Sequence, residues 1–134
     1  MAAITEERYN DYLSNLIAGK RKPCGDLVQE LLDEGVAIRD LYTGLFQRSL
    51  YRIGELWEQQ KISVAVEHLS TSITESLLNL VYPALFAGER RGRSAVISCV
   101  ANEFHQIGGK MAADLFELNG WDTYFLGADT PVRD

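Results

Sequence analysis

Along the first two-thirds of the chain, apolar residues recur at intervals of three and four. Tyr9, Tyr12, Leu13, Leu16 and Ile17 form the first such face, behind Thr5, Glu6 and Glu7, which suit a helix start. Gly19 to Lys22 interrupts the pattern. Pro23 suits the first turn of a second helix, with Leu27, Val28, Leu31 and Leu32 on its apolar side and Gly35 at its end. A third helix, about Ile38 to Glu58, carries a wide stripe of Leu41, Tyr42, Leu45, Phe46, Leu50, Ile53, Leu56 and Trp57. After a turn at Gln59 to Lys61, a fourth runs from about Ser63 to Phe86, with Val66, Leu69, Ile73, Leu77, Leu80 and Val81 as its stripe. Amphipathic helices joined by short turns predict a four-helix bundle. The fourth helix has a second stripe, short and polar: Ser63, Glu67, Ser70 and Thr74. Ser70-Thr71-Ser72 is poor material for a helix interior. Two accounts stay open: a solvated or closely packed helix face, or a surface shaped around something that is neither water nor helix.

The pattern changes after Ala87 to Arg93, a glycine-bearing charged stretch that marks a boundary. Its three arginines are expected to solvate a linker. An apolar run comes next, Ala95 to Val100, then a polar loop, Ala101 to Gly109. An amphipathic segment reaches Asn119-Gly120, and a second β-rich run covers Trp121 to Leu126. This order predicts one βαβ unit. Thr130-Pro131 has the form of the N-cap and first turn of another helix. Two parallel strands and one helix do not make an independent sheet, because parallel sheets are normally covered on both faces. The chain is therefore expected to be part of a longer α/β domain. The predicted organisation is a helical domain over 1–88, a linker over 89–93 and a partial α/β domain over 94–134.

Composition adds exclusions. The chain has 134 residues, is 46% hydrophobic and carries a net charge of −6. An acidic balance argues against a groove for nucleic-acid backbone, which needs clustered Lys and Arg. No apolar run approaches the roughly 20 residues of a membrane span, and the first residues do not read as a signal peptide. Cys24 and Cys99 lie far apart, in neither metal-like nor redox-like spacing. Two reduced thiols in a cytoplasmic protein is the expectation.

The candidate chemistry lies in the loop after the first strand, where open parallel sheets bind ligands. Glu103, His105 and Gly108 stand there at Glu-x-His-x-x-Gly spacing. A metal-bound histidine usually gives its second N–H to a carboxylate, which fixes the tautomer and raises its basicity. Glu103 can serve if the loop folds back, and Gly108 would let a bulky ligand approach the backbone. No second His or Cys is near enough to complete a zinc site. A lone histidine ligand suggests a metal already held by a macrocycle. On these residues alone, an exposed histidine with a chance carboxylate neighbour is the plainer account of the pattern. A nucleophilic triad has no suitable Ser or Cys, and no catalytic residue is assigned.

Glu103-Phe104-His105-Gln106-Ile107-Gly108 resembles the Asp-x-His-x-x-Gly signature of cobalamin-binding domains. Gly127 to Pro131 and the order of helices before an α/β domain are similar to that family too. Trp57, nine residues, then Glu67-His68 resembles the helical cap of cobalamin-dependent light-sensing regulators. The resemblance implies an α/β chain with a four-helix bundle cap followed by the first βαβ unit of a Rossmann-like, flavodoxin-like cobalamin-binding domain. It implies cobalamin, in adenosyl or methyl form, with His105 as lower axial metal ligand in place of dimethylbenzimidazole. Glu103 would hydrogen-bond His105, Gly108 would border the cofactor, and Trp57, Glu67 and His68 would lie at its upper face. The implied role is a non-enzymatic sensory or regulatory module, working as a homo-oligomer or with a regulatory protein partner, without direct nucleic-acid or membrane contact. The alternatives are a corrinoid carrier of a methyltransferase system and a helical interaction module without ligand. The family's Asp is Glu103 here, so its bond to His105 is expected to differ or to run through water. The family's later Ser-x-Leu and Gly-Gly segments are absent from this sequence, and weak or no retention of cobalamin by this chain is expected.

Overall fold

The computed structural model describes Ala3 to Arg133. The chain is α/β, with helices first and a two-stranded parallel sheet after them. Helix α1 covers Glu6–Ile17, and its N-cap Thr5 accepts a hydrogen bond from the Arg8 amide at 3.2 Å. Helix α2 covers Arg21–Asp33, with Pro23 inside its first turn, where no intrahelical donor is missed. Next, α3 (Ile38–Leu41), a π-helical turn (Tyr42–Gln47) and α4 (Arg48–Glu58) form one unbroken helical run. Helix α5 covers Val64–Val81 and tightens into a 3-10 turn at Tyr82–Phe86. The chain divides into two compact units between Leu77 and Leu78, inside α5.

The first unit is built around Tyr12, Leu16, Val28, Leu31, Leu41, Tyr42, Leu45, Phe46 and Ile53, all buried. Tyr12 and Tyr42 both pack their rings on Phe46, with centroids 6.4 and 5.7 Å away. The π turn has a cause in the spacing. Leu41, Leu45, Ser49 and Ile53 are all buried and lie four residues apart. An α-helix turns every 3.6 residues, so a stripe of period four drifts around it. One wider turn, with its i→i+5 bonds, brings the stripe back into line.

In α5 the buried face differs from the predicted stripe. Ser70, Ile73, Thr74 and Leu77 are buried, while Leu69 and Leu80 are exposed. The polar stripe thus enters the core. Ser70 Oγ donates to the Val66 carbonyl and Thr74 Oγ1 to the Ser70 carbonyl, each at 2.8 Å, so neither hydroxyl is buried without a partner. Ser63 Oγ accepts from the Val66 amide at 3.2 Å at the start of the helix. Of that stripe, Ser63 and Glu67 stay outside the core.

The second unit contains β1 (Ser94–Val100), α6 (Ile107–Leu118) and β2 (Asp122–Thr130). The strands pair in parallel from Ser94↔Asp122 to Val100↔Thr130. Strand β2 runs past the predicted end at Leu126. It continues because the register slips between Ile97 and Ser98 and again between Ser98 and Val100, so β2 takes up two bulge residues and keeps pairing. Thr130 consequently ends a strand, and its hydroxyl donates to the Gly127 carbonyl at 3.4 Å. Side chains alternate along both strands. Ile97, Cys99 and Phe125 are half-buried on the α6 side, while Val96, Val100, Tyr124 and Leu126 stay exposed on the other.

The segment before β1 is no freely solvated linker. Arg90 donates to the nearly buried Glu117 carboxylate at 2.6 Å, to Asp122 at 2.9 Å and to the Trp121 carbonyl at 2.5 Å. The Arg91 amide donates to the Gly120 carbonyl at 2.8 Å. Gly120 has φ +87°, and a Cβ there would lie 2.3 Å from the Glu89 carbonyl oxygen. Among the described residues, no helix is long and apolar enough to cross a membrane.

Gly120→Ala is expected to destabilise the protein by at least about 1–2 kcal/mol, the cost of a left-handed non-glycine residue alone. The carbonyl clash adds to that. A urea midpoint equal to the parent's would refute this account of the turn.

Candidate functional site

The site loop starts where β1 ends. Glu103 N donates to the Val100 carbonyl at 3.0 Å, which turns the chain away from the sheet. Asn102, with φ +68°, makes that turn. Asn tolerates the left-handed region better than most residues. The loop then folds back on itself. Oε1 of Glu103 accepts the His105 main-chain N–H at 2.7 Å and lies 2.8 Å from His105 Nδ1. No water is needed: the extra methylene of Glu lets the carboxylate span the two residues directly. A carboxylate oxygen facing Nδ1 favours the tautomer with its proton there, which leaves Nε2 on the opposite edge of the ring. The His105 side chain is 91% exposed. The His105 amide and ring, in that order, hold the Glu103 carboxyl below its ordinary value of 4.5.

Gly108 is the second residue of α6, and a Cβ built on it would meet nothing within 4 Å. The space above it is open. Gly109 is different: its Cβ would lie 3.2 Å from the Phe125 ring and 3.4 Å from Cys99 Sγ, so it serves packing of α6 on the sheet. Among the described residues, no three His, Cys, Asp or Glu side chains gather as a metal-holding group. An exposed imidazole beside the open space at Gly108 could reach a metal that brings its other ligands with it.

The other predicted residues lie in the first unit. Trp57 sits near the end of α4 and is 47% exposed, so it is not a core residue. Glu67 and His68 are neighbours in the first turns of α5, with Glu67 Oε2 at 2.5 Å from His68 Nδ1. Thr71 Oγ1 donates to the other Glu67 oxygen at 3.3 Å. Glu67 is thereby oriented from its own helix, and the His68 side chain is 72% exposed.

Residues given no role of their own in the sequence complete the loop. Cys99 and Asp129 bond to the segment 102–106, and Gln106 ties that segment to the Ala128 amide. A signal existed: Asn102 and Asp129 are residue types that tolerate positive φ, and each stands at the end of a strand.

The structure is an α/β fold that presents an exposed, carboxylate-held histidine on the loop after β1. The B12 binding domain family matches residues 8–82, more than half of the chain, and the chain belongs to that family. Monomethylamine corrinoid protein 1 of Methanosarcina acetivorans is 27% identical over 89% of this chain and 57% of its own length. The HTH-type transcriptional repressor CarA of Myxococcus xanthus is 30% identical over 81% of this chain and 36% of its own. The structure of the Methanosarcina barkeri monomethylamine corrinoid protein superposes with a TM-score of 0.79 at 20% identity, covering 93% of this chain and 59% of that one. That likeness establishes the fold. The chain spans less than two-thirds of the length of these proteins.

Because the folded value of Glu103 is depressed, the ionised carboxylate's contribution to the loop is complete above its ordinary value and is lost as pH falls through the folded value. A carboxyl ¹³C titration should give Glu103 a midpoint below 4.5, and His105→Ala should raise it. A midpoint that ignores His105→Ala would contradict the contact.

Proposed function

We propose that this chain is a cobalamin-binding sensory or regulatory module in which His105 is the lower ligand of cobalt. The observation that carries the proposal is the Glu103 carboxylate oxygen facing the His105 amide and Nδ1 together, which leaves Nε2 on the ring's free edge. When bound, a corrin-held cobalt supplies ligand exchange at its upper face. The protein's part is to fix the imidazole tautomer, to leave room at Gly108 and to offer an aromatic lid. Residues 1–88 are the four-helix cap in this proposal, 89–93 the connection, and 94–134 the opening part of a Rossmann-like cobalamin-binding half. Trp57, half exposed at a helix end, suits a lid better than a core residue does. Glu67 and His68 are proposed beside the upper ligand. A change of that ligand, by light or redox chemistry, would shift Trp57 and bias a two-state element read by a second copy or a regulatory partner. Adenosylcobalamin fits this reading.

The second reading is a corrinoid carrier for a methyltransferase, with methylcobalamin as its loaded form. The similarity to the monomethylamine corrinoid protein over 89% of this chain favours it. The two separate by experiment. Illumination of the adenosylcobalamin-loaded protein changes its oligomeric state if it is a sensor; uptake of a labelled methyl group onto the loaded protein marks a carrier.

Titration with adenosylcobalamin in the dark, at concentrations high enough to load a weak site, should give a visible spectral change that His105→Ala removes. Identical spectra for parent and variant would exclude His105 as the ligand. Trp57→Ala should alter the upper-ligand spectrum or lower affinity roughly tenfold, on the order of 1.4 kcal/mol; no change in either would remove Trp57 from the site.

A further inference from the structure

The His105 loop does not hold its shape alone. Beyond Leu126, β2 passes through Gly127 at φ +87° and Asp129 at φ +48°. These two left-handed residues turn the strand's last polar groups towards the loop. Asp129 Oδ1 accepts the Asn102 amide at 2.7 Å, and the Asp129 amide donates to the Glu103 carbonyl at 2.9 Å. The Ala128 amide donates to Gln106 Oε1 at 3.1 Å. A Cβ at Gly127 would approach that same oxygen to 3.0 Å, so glycine keeps the way open. The three bonds bracket His105: two before it, at Asn102 and Glu103, and one after it, at Gln106. Cys99 Sγ lies 3.6 Å from the His105 carbonyl between them.

We infer that Asp129 is a positioning residue for His105, acting with Gln106 as a clamp from the end of β2. Asp129 touches neither the imidazole nor its carboxylate. It fixes the main chain on both sides of Glu103, and so fixes where Oε1 stands relative to His105. A left-handed aspartate in a strand end costs backbone energy and persists only where its surroundings determine it. Here its own side chain and amide both close on the loop. Asn at 129 keeps the accepting Oδ1 and tolerates the same φ; Ala does neither.

The inference rests on His105 being the ligand, and the test separates the two. In the chain without cobalamin, ¹⁵N ring shifts at a fixed neutral pH report the His105 tautomer. The parent and Asp129→Asn should show the proton held on Nδ1. Asp129→Ala should show both tautomers averaged, with faster hydrogen exchange at Asn102. On titration with adenosylcobalamin, Asp129→Ala should lose roughly ten- to hundredfold in affinity, the usual cost of removing a ligand's outer support, and Asp129→Asn should recover it. If Asp129→Ala does not fold, Gln106→Leu, which removes only the outer tie, carries the same readouts. Unchanged ring shifts in the folded variant overturn the clamp, whatever cobalamin does. Altered ring shifts with unchanged affinity also overturn it when His105→Ala does reduce binding. Failure of His105→Ala to affect the spectrum removes the ligand assignment, and with it the clamp's purpose.

Discussion

Parallel pairing of β1 with β2 is the constraint that shapes the second unit. Parallel strands cannot be joined by a tight turn, so a crossover element must carry the chain back, and α6 does. The same pairing brings both strands' carboxyl ends to one edge. Loop 101–106 and the end of β2 therefore meet, though more than twenty residues separate Asn102 from Asp129. An antiparallel pair would have put these segments at opposite ends. The helix closes the geometry from the other side, with Gly109 pressed against Phe125 and Cys99. The Arg90 bonds to Glu117 and Asp122 tie the entry of β1 to the turn that starts β2.

Glu103 holds the imidazole and the loop's main chain together. One oxygen faces both the amide two residues on and Nδ1 of the same residue. Rotating the carboxylate to release the ring would also release the amide. The tautomer is coupled to the loop's backbone conformation, and the loop is in turn bonded to β2.

The fold was legible in the sequence wherever one periodic stripe met one face. The four helical stretches and both strands lie close to where apolar spacing puts them. At α5 the sequence left two accounts open, because a hydropathy pattern counts Ser70 and Thr74 as polar, and burial of both selects the closely packed face. Their hydroxyls bond to their own helix, and in that state they pack as small residues. At Arg90 legibility failed. Its partners Glu117 and Asp122 are distant in the chain, and nothing local distinguishes a paired arginine from a solvated one. Within the site, Glu103 and His105 were legible because both bonds are local. Asp129 was not, because its role exists only once two strand ends are side by side.

The π turn at Tyr42–Gln47 has a consequence for the chain's history. In a regular α-helix, losing one residue turns everything beyond it by about 100°. A wide turn holds one residue more than an α turn, and losing that residue restores α geometry without rotating the rest of the helix. Ile53 would stay in the core and Trp57 at the surface. The segment is thus a point at which sequences of this kind can differ in length by one while keeping Trp57 in phase, and an alignment gap there would carry no structural meaning downstream.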